Sequence, residues 1–156
     1  MRQIIAILVE DKFGALSRII ELFSSRGYNL DSICSGVCEE PNLQRLTLVI
    51  EESPEKTDRI VTMLNNVVDV IEAHRVDEKT GVSREMMLAK VQCNGTELNS
   101  IKEFLAGKMG HIIDQTNTSL TFEITGTARD LDLALAEIRQ YKILELARTG
   151  EAAIHR

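Results

Sequence analysis

The side chains that carry most enzyme chemistry are few and scattered in this sequence. A nucleophile–base pair needs a Ser or Cys beside a His that a carboxylate orients. The three histidines, His74, His111 and His155, follow no spacing that gathers them. Cys34 and Cys38 lie four apart on an expected strand, so alternation points both to one face. A zinc site needs two further ligands, and these thiols read instead as small buried hydrophobes. No Walker loop or G-x-G-x-x-G is present, and the carboxylates are spread as solvated faces. The inventory predicts no catalytic residues and no metal site.

One segment is arranged for binding. In the run from Val9 to Leu16 a strand hands directly to a helix whose first turn contains Gly14 and Ala15. Small residues there leave backbone N–H groups open, and the helix dipole adds partial positive charge, so a carboxylate can dock. A second strand opens at Gly27-Tyr28-Asn29-Leu30. In a split-βαβ unit its start is expected near that first turn, where the Asn29 amide both donates and accepts. Asp11 is placed to take an ammonium group. These are the parts of a site for a free amino acid. Structural readings stand beside them: Asp11 as a helix N-cap, Gly14 as a concession to close helix–sheet packing, Asn29 as a turn residue.

The elements that must position these residues follow from periodicity. Gln3 to Val9 is a strand. Leu16, Ile19, Ile20 and Phe23 stripe a helix that ends at Arg26-Gly27. Tyr28 to Val37 and Arg45 to Ile50 are strands, and Ser53-Pro54 opens a helix with Ile60, Leu64 and Val67 on one face. Val68 to Val76 returns as a strand. After a polar stretch the order repeats. Strands are expected at Arg84 to Cys93, His111 to Gln115, Leu120 to Thr125 and Ile143 to Ala147. One helix is capped by Thr96 and carries Leu98, Ile101 and Leu105; another carries Leu131, Ala134, Leu135 and Ile138. Gly107 and Gly110 break the first of these. The fold class is α+β, two tandem ferredoxin-like βαββαβ domains, with 1–76 the first, 77–83 a linker and 84–156 the second.

Composition sets outer limits. The 156 residues hold 18 Lys+Arg against 24 Asp+Glu, a net charge of −6, which argues against nucleic acid as partner. The longest apolar run, Ile4 to Val9, is far short of the ~20 residues that cross a bilayer, and no signal peptide is evident. Three cysteines suit reduced thiols better than a disulfide framework. A cytoplasmic protein without membrane contact is expected.

The order of motifs is similar to that of a known family. Glu10 through Ile33, E-D-K-F-G-A-L-S-R-I-I-E-L-F-S-S-R-G-Y-N-L-D-S-I, resembles the opening of an ACT domain. In particular it resembles the small, regulatory subunit of acetohydroxyacid synthase (acetolactate synthase). P-N-L-Q-R-L-T at 41–47, V-D-V at 68–70 and R-E-M-M-L-A-K-V at 84–91 continue the likeness. So do I-I-D at 112–114, E-I-T-G-T at 123–127 and I-L-E-L-A-R-T-G at 143–150. The resemblance implies a non-catalytic homodimer whose N-terminal ACT domains bind valine between two protomers. It implies a second partner, the catalytic large subunit, which carries thiamine diphosphate, Mg²⁺ and FAD and which this chain activates and makes sensitive to valine. By matching positions Gly14, Ala15, Leu16, Asn29 and Leu30 form the effector site, with Ser17 beside it. Asp11 stands where relatives usually carry Asn, Cys34 and Gly36 replace the more usual Thr and Ala, and 151–156 departs from the family's ending. A free-standing tandem ACT amino-acid sensor acting on another protein is the alternative.

Overall fold

A computed structural model of the chain describes residues 1–77 and 79–156, Thr96 through its main chain alone. The elements are β1 (Arg2–Glu10), α1 (Ala15–Arg26), β2 (Ser32–Val37), β3 (Leu43–Glu51), α2 (Pro54–Leu64) and β4 (Val70–Val76). They continue with β5 (Gly81–Gln92), α3 (Gly95–Gly107), β6 (His111–Gln115), β7 (Ser119–Gly126), α4 (Ala128–Ile138), β8 (Lys142–Arg148) and β9 (Ala152–His155). The expected βαββαβ order occurs twice, and β9 is an addition.

The chain divides into two compact units, Met1–Ser83 with Gly150–Arg156, and Arg84–Thr149. This differs from the expected boundaries. The linker expected over 77–83 includes Glu78, outside the described residues, and its last three residues are already strand β5. Residues 150–156, expected with the second domain, belong to the first unit. The reason is packing: Ala153 is buried beside Ala6 and Val76.

In the first unit the strand order is β2-β3-β1-β4, all antiparallel, so β2 and β4 are the edges. Strand residues alternate faces: Ile5, Ile7, Leu46, Leu48 and Ile50 meet Ile19 and Phe23 of α1 and Ile60 and Leu64 of α2. The stripe of α1 is rotated from expectation. Ala15, Ile19 and Phe23 are buried, while Leu16 and Ile20 are each 39% exposed. Both stripes fit a 3.6-residue period, and the small Ala15 lets the first turn lie against the sheet. α2 begins as expected, the Ser53 hydroxyl accepting from the Lys56 N–H with Pro54 at the first helical position. Val67 lies beyond the end of α2 and is partly buried. β2 starts at Ser32 rather than Tyr28. The Tyr28 N–H instead donates to the Phe23 carbonyl and closes α1 around Gly27 at φ 69°.

The second unit has the order β6-β7-β5-β8, with Met87, Val91, Leu120, Phe122, Ile101 and Leu131 among its buried residues. Its first helix starts one residue ahead of Thr96, whose side chain is outside the described residues. Asn94 caps it: Asn94 Oδ1 accepts from the Glu97 N–H at 3.1 Å and Glu97 Oε2 accepts from the Asn94 N–H at 2.9 Å. The cysteines differ from expectation as well. Only Cys93 is buried, Cys34 and Cys38 being partly exposed, and β2 ends before Cys38. Among the described residues no helix is long and apolar enough to cross a membrane.

Candidate functional site

The β1–α1 turn is tied at both ends, which fixes its shape. The Glu10 N–H donates to the Asp69 carbonyl and the Asp11 N–H to the Asn42 carbonyl, while the Ala15 N–H turns back to the Lys12 carbonyl. Gly14 is the N-cap at φ 84°, a left-handed conformation open to glycine at little cost, and it supplies no capping side chain. Among the described residues the N–H groups of Leu16 and Ser17 have no acceptor. The first turn of α1 therefore presents free donors at the positive end of the helix.

Asp11 is not the cap. It lies three residues ahead of Gly14, exposed, and its Oδ1 accepts from Gln44 Nε2 at 2.9 Å. Gln44 Oε1 in turn accepts from the Ser35 hydroxyl of β2 at 3.1 Å. An amide bridge thus holds the Asp11 carboxylate between the turn and the β2 edge.

Arg18, one turn along α1, is a residue to which the sequence reading gave no role. Its Nε donates to the carboxylate of Asp69, itself buried to 7% side-chain exposure. The guanidinium folds back over the turn: Nη1 lies 2.9 Å from where a Cβ on Gly14 would sit, and Nη2 is 3.5 Å from the Phe13 carbonyl oxygen. A cation anchored by Asp69 therefore lies over Gly14 at the head of the helix. Its link to Asp69 spans 51 residues, so periodicity could not reveal it. The V-D-V motif at 68–70 was the one available signal.

Asn29 and Leu30 are not near this turn in the same protomer. α1 has 12 residues and is therefore ~18 Å long; Asn29 follows its far end. Register agrees: Ser32 is level with Val49 and Ile4, whereas Val37 is level with Gln44 and Val9, at the Asp11 end. The expectation that the start of β2 approaches the first turn within one chain is thus overturned. Asn29 is exposed, and Leu30 packs partly against the core. The candidate residues therefore fall into two groups, two candidate half-sites: Gly14, Ala15 and Leu16 with Asp11 and Arg18, and Asn29 and Leu30 at the opposite end of the helix.

Among the described residues no three His, Cys, Asp or Glu side chains gather as metal ligands would. The histidine pair that does meet, His74 with His155, lies on the sheet face opposite the helices.

Two ferredoxin-like βαββαβ units in tandem are the architecture of an ACT-type protein. Residues 5–72 match the family model of the AHAS small subunit-like ACT domain, and residues 84–156 match that of the small subunit of acetolactate synthase. The acetolactate synthase small subunit of Buchnera aphidicola is 37% identical over all of this chain and 99% of its own length. The isozyme 3 small subunit of Escherichia coli is also 37% identical, over all of this chain and 96% of its own. The crystal structure of the acetolactate synthase small subunit from Thermotoga maritima superposes with a TM-score of 0.92 at 28% identity, covering 100% of this chain and 98% of that one. The chain belongs to the acetolactate synthase small-subunit family, whose members are regulatory and not catalytic.

Proposed function

We propose that this chain activates the catalytic subunit of acetolactate synthase and makes it sensitive to a branched-chain amino acid, valine first, bound between two copies of the first unit. The observation that carries this is the separation of the two half-sites. A valine molecule cannot span ~18 Å, so the half-sites can share a ligand only if they come from two chains. The free β2 edge supplies the geometry. Antiparallel pairing of β2 with the β2 of a second copy sets Ser32 of one opposite Val37 of the other. That brings the partner's Asn29 and the partner's Leu30 to the end where Asp11, Gly14, Ala15 and Leu16 lie. It also covers an edge that otherwise exposes unpaired backbone groups.

In this arrangement the ligand carboxylate rests on the Leu16 and Ser17 N–H groups and on Arg18, its ammonium group on Asp11, and its side chain between Leu16 and the partner's Leu30. The partner's Asn29 closes the polar end. Two charged ends and a small pocket suit ~4–7 kcal/mol of binding, hence micromolar to millimolar Kd. The ligand shifts the partner enzyme only through its differential affinity for two arrangements of the dimer, typically ~1–3 kcal/mol. Thiamine diphosphate, Mg²⁺ and FAD are assigned to the catalytic subunit, none to this chain, and the complex to the cytoplasm.

The test is to reconstitute this chain with the catalytic subunit and titrate valine, leucine and isoleucine while following acetolactate formation. Activation on mixing and inhibition by valine are expected. A catalytic subunit whose rate and valine response ignore this chain would overturn the proposal, and a dimer that binds valine without touching acetolactate formation would favour the free-standing sensor.

A further inference from the structure

Residues 150–156 lie on the face of the first sheet that the helices leave open. Register places Cys34, Thr47, Ala6 and His74 side by side across that face. The Ala153 N–H donates to Thr47 Oγ1 at 3.1 Å, a buried contact. Glu151, only 3% exposed, pairs with Arg2 at 2.9 Å. Gly81 admits the strand: a Cβ there would stand 2.6 Å from the Ile154 carbonyl oxygen.

The outer end of the segment rests on a histidine pair. The rings of His155 and His74 stack with centroids 3.9 Å apart and planes at 28°. His155 Nδ1 sits 2.9 Å from the Thr80 carbonyl oxygen and so carries a proton and donates it there. Both ring nitrogens of His74 are buried without a hydrogen-bond partner among the described residues. The charged groups around His74 are few. Glu72, on its own strand, approaches Nδ1 to 3.4 Å. Arg45, from β3, is already paired with Glu39 at 2.6 Å. His155 comes from β9, and β1 presents the uncharged Ala6 at this level. Burial first, and then His155, lower the pKa of His74, with Glu72 opposing them.

We propose that β9 is a pH-sensitive strap, docked on the open sheet face while the buried His74 ring, stacked on His155, is neutral, and released when acidification protonates His74. A proton on His74 has no acceptor of good geometry in the docked state and faces a second imidazole ring across the stack. In the released state both rings reach water. The direction follows from linkage: a histidine whose pKa is lowered by docking favours docking at neutral pH, and that preference fades as pH falls below the ordinary imidazole value of about 6.5. Release uncovers the Ala6–Val76 strip of the unit that carries the proposed effector site, without requiring that a ligand bind there.

The experiment is amide hydrogen exchange on the full chain at pH 7.5 and 5.5, corrected for intrinsic exchange rates. For one histidine that binds a proton only when released, protection of the Ala153 N–H falls about tenfold across this range, while Leu48 in the core stays unchanged. His74→Phe is expected to abolish the pH dependence, and His155→Phe, which keeps a ring over His74 but removes the second imidazole, to reduce it. Wild-type protection constant within twofold, or a tenfold fall that persists in His74→Phe, would overturn the strap.

Discussion

α1 and α3 occupy the same place in their units, each the first helix of a βαββαβ order, yet they begin in opposite ways. At α3, Asn94 and Glu97 exchange side-chain bonds with each other's backbone, so side chains of the chain itself cap that terminus. At α1 the cap is Gly14, with no side chain, and the donors of Leu16 and Ser17 stay free under the Arg18 guanidinium. A glycine cap costs only a few tenths of a kcal/mol relative to Ser or Asn, so leaving the first terminus open is cheap. The difference teaches where a ligand can act. A tandem repeat of one fold offers two equivalent termini, and a single residue type at the cap decides that one is capped by its own side chains while the other keeps the Leu16 and Ser17 donors free.

The strongest way to break this contrast is to close the open terminus from within. Gly14→Asp puts a carboxylate where the ligand's should rest, next to Arg18 and the free amides, on a backbone already at positive φ. Valine binding measured by calorimetry is expected to weaken more than a hundredfold, with activation of the catalytic subunit retained. Valine inhibition that persists in this variant would remove the site from the β1–α1 turn.

A smaller effect separates the two half-sites. Arg18→Met removes the cation from one half and Asn29→Ala the amide from the other; each is expected to cost ~1–3 kcal/mol, roughly fivefold to 150-fold in Kd. For Arg18→Met the loss belongs to the ligand's carboxylate, so valinamide, which lacks that charge, should bind wild type and variant alike. Mixed dimers sharpen the point. If the halves meet across two chains, a dimer of one Gly14→Asp chain and one Asn29→Ala chain keeps one intact site, whereas a site within one chain would leave none.

What sequence alone revealed, and what it did not, follows the range of each interaction. Strands, helices and the Ser53 and Gly27 termini were legible because they rest on neighbours within a few residues. The rotation of α1 was not, because Leu16-Ile20 and Ala15-Ile19 both satisfy a helical period and only the sheet chooses between them. Arg18 with Asp69, and Asp11 with Gln44, are contacts across 51 and 33 residues, invisible to spacing. β9 was missed because its anchoring residue is a single alanine, too small to mark a strand. Asn29 was placed wrongly for a different reason: helix length times rise already put it at the far end of α1.

Opening the closed terminus is a milder change. Asn94→Ala removes the α3 cap and is expected to destabilise the chain by about 1 kcal/mol, read as a lower midpoint in denaturant, while valine affinity stays as in wild type. An altered valine affinity would mean that the second unit's terminus also takes part in binding.

The smallest effect concerns how a closed terminus answers to pH. At α4, Asp130 Oδ2 accepts from the Thr127 hydroxyl at 2.6 Å and from the Thr127 N–H at 3.0 Å, and these bonds, the hydroxyl's first, lower the Asp130 pKa. A carboxylate whose pKa falls on folding stabilises the folded state above its unfolded value, about 3.9, and loses that contribution as pH drops through the lower folded value. Thr127→Val takes away the larger of the two donors. The ¹³C titration midpoint of the Asp130 carboxyl is then expected to rise toward the ordinary Asp value. An unmoved midpoint would show that the backbone N–H alone holds the carboxylate. The α1 terminus, which has no carboxylate of its own, acquires such a group only when a ligand or Gly14→Asp supplies one.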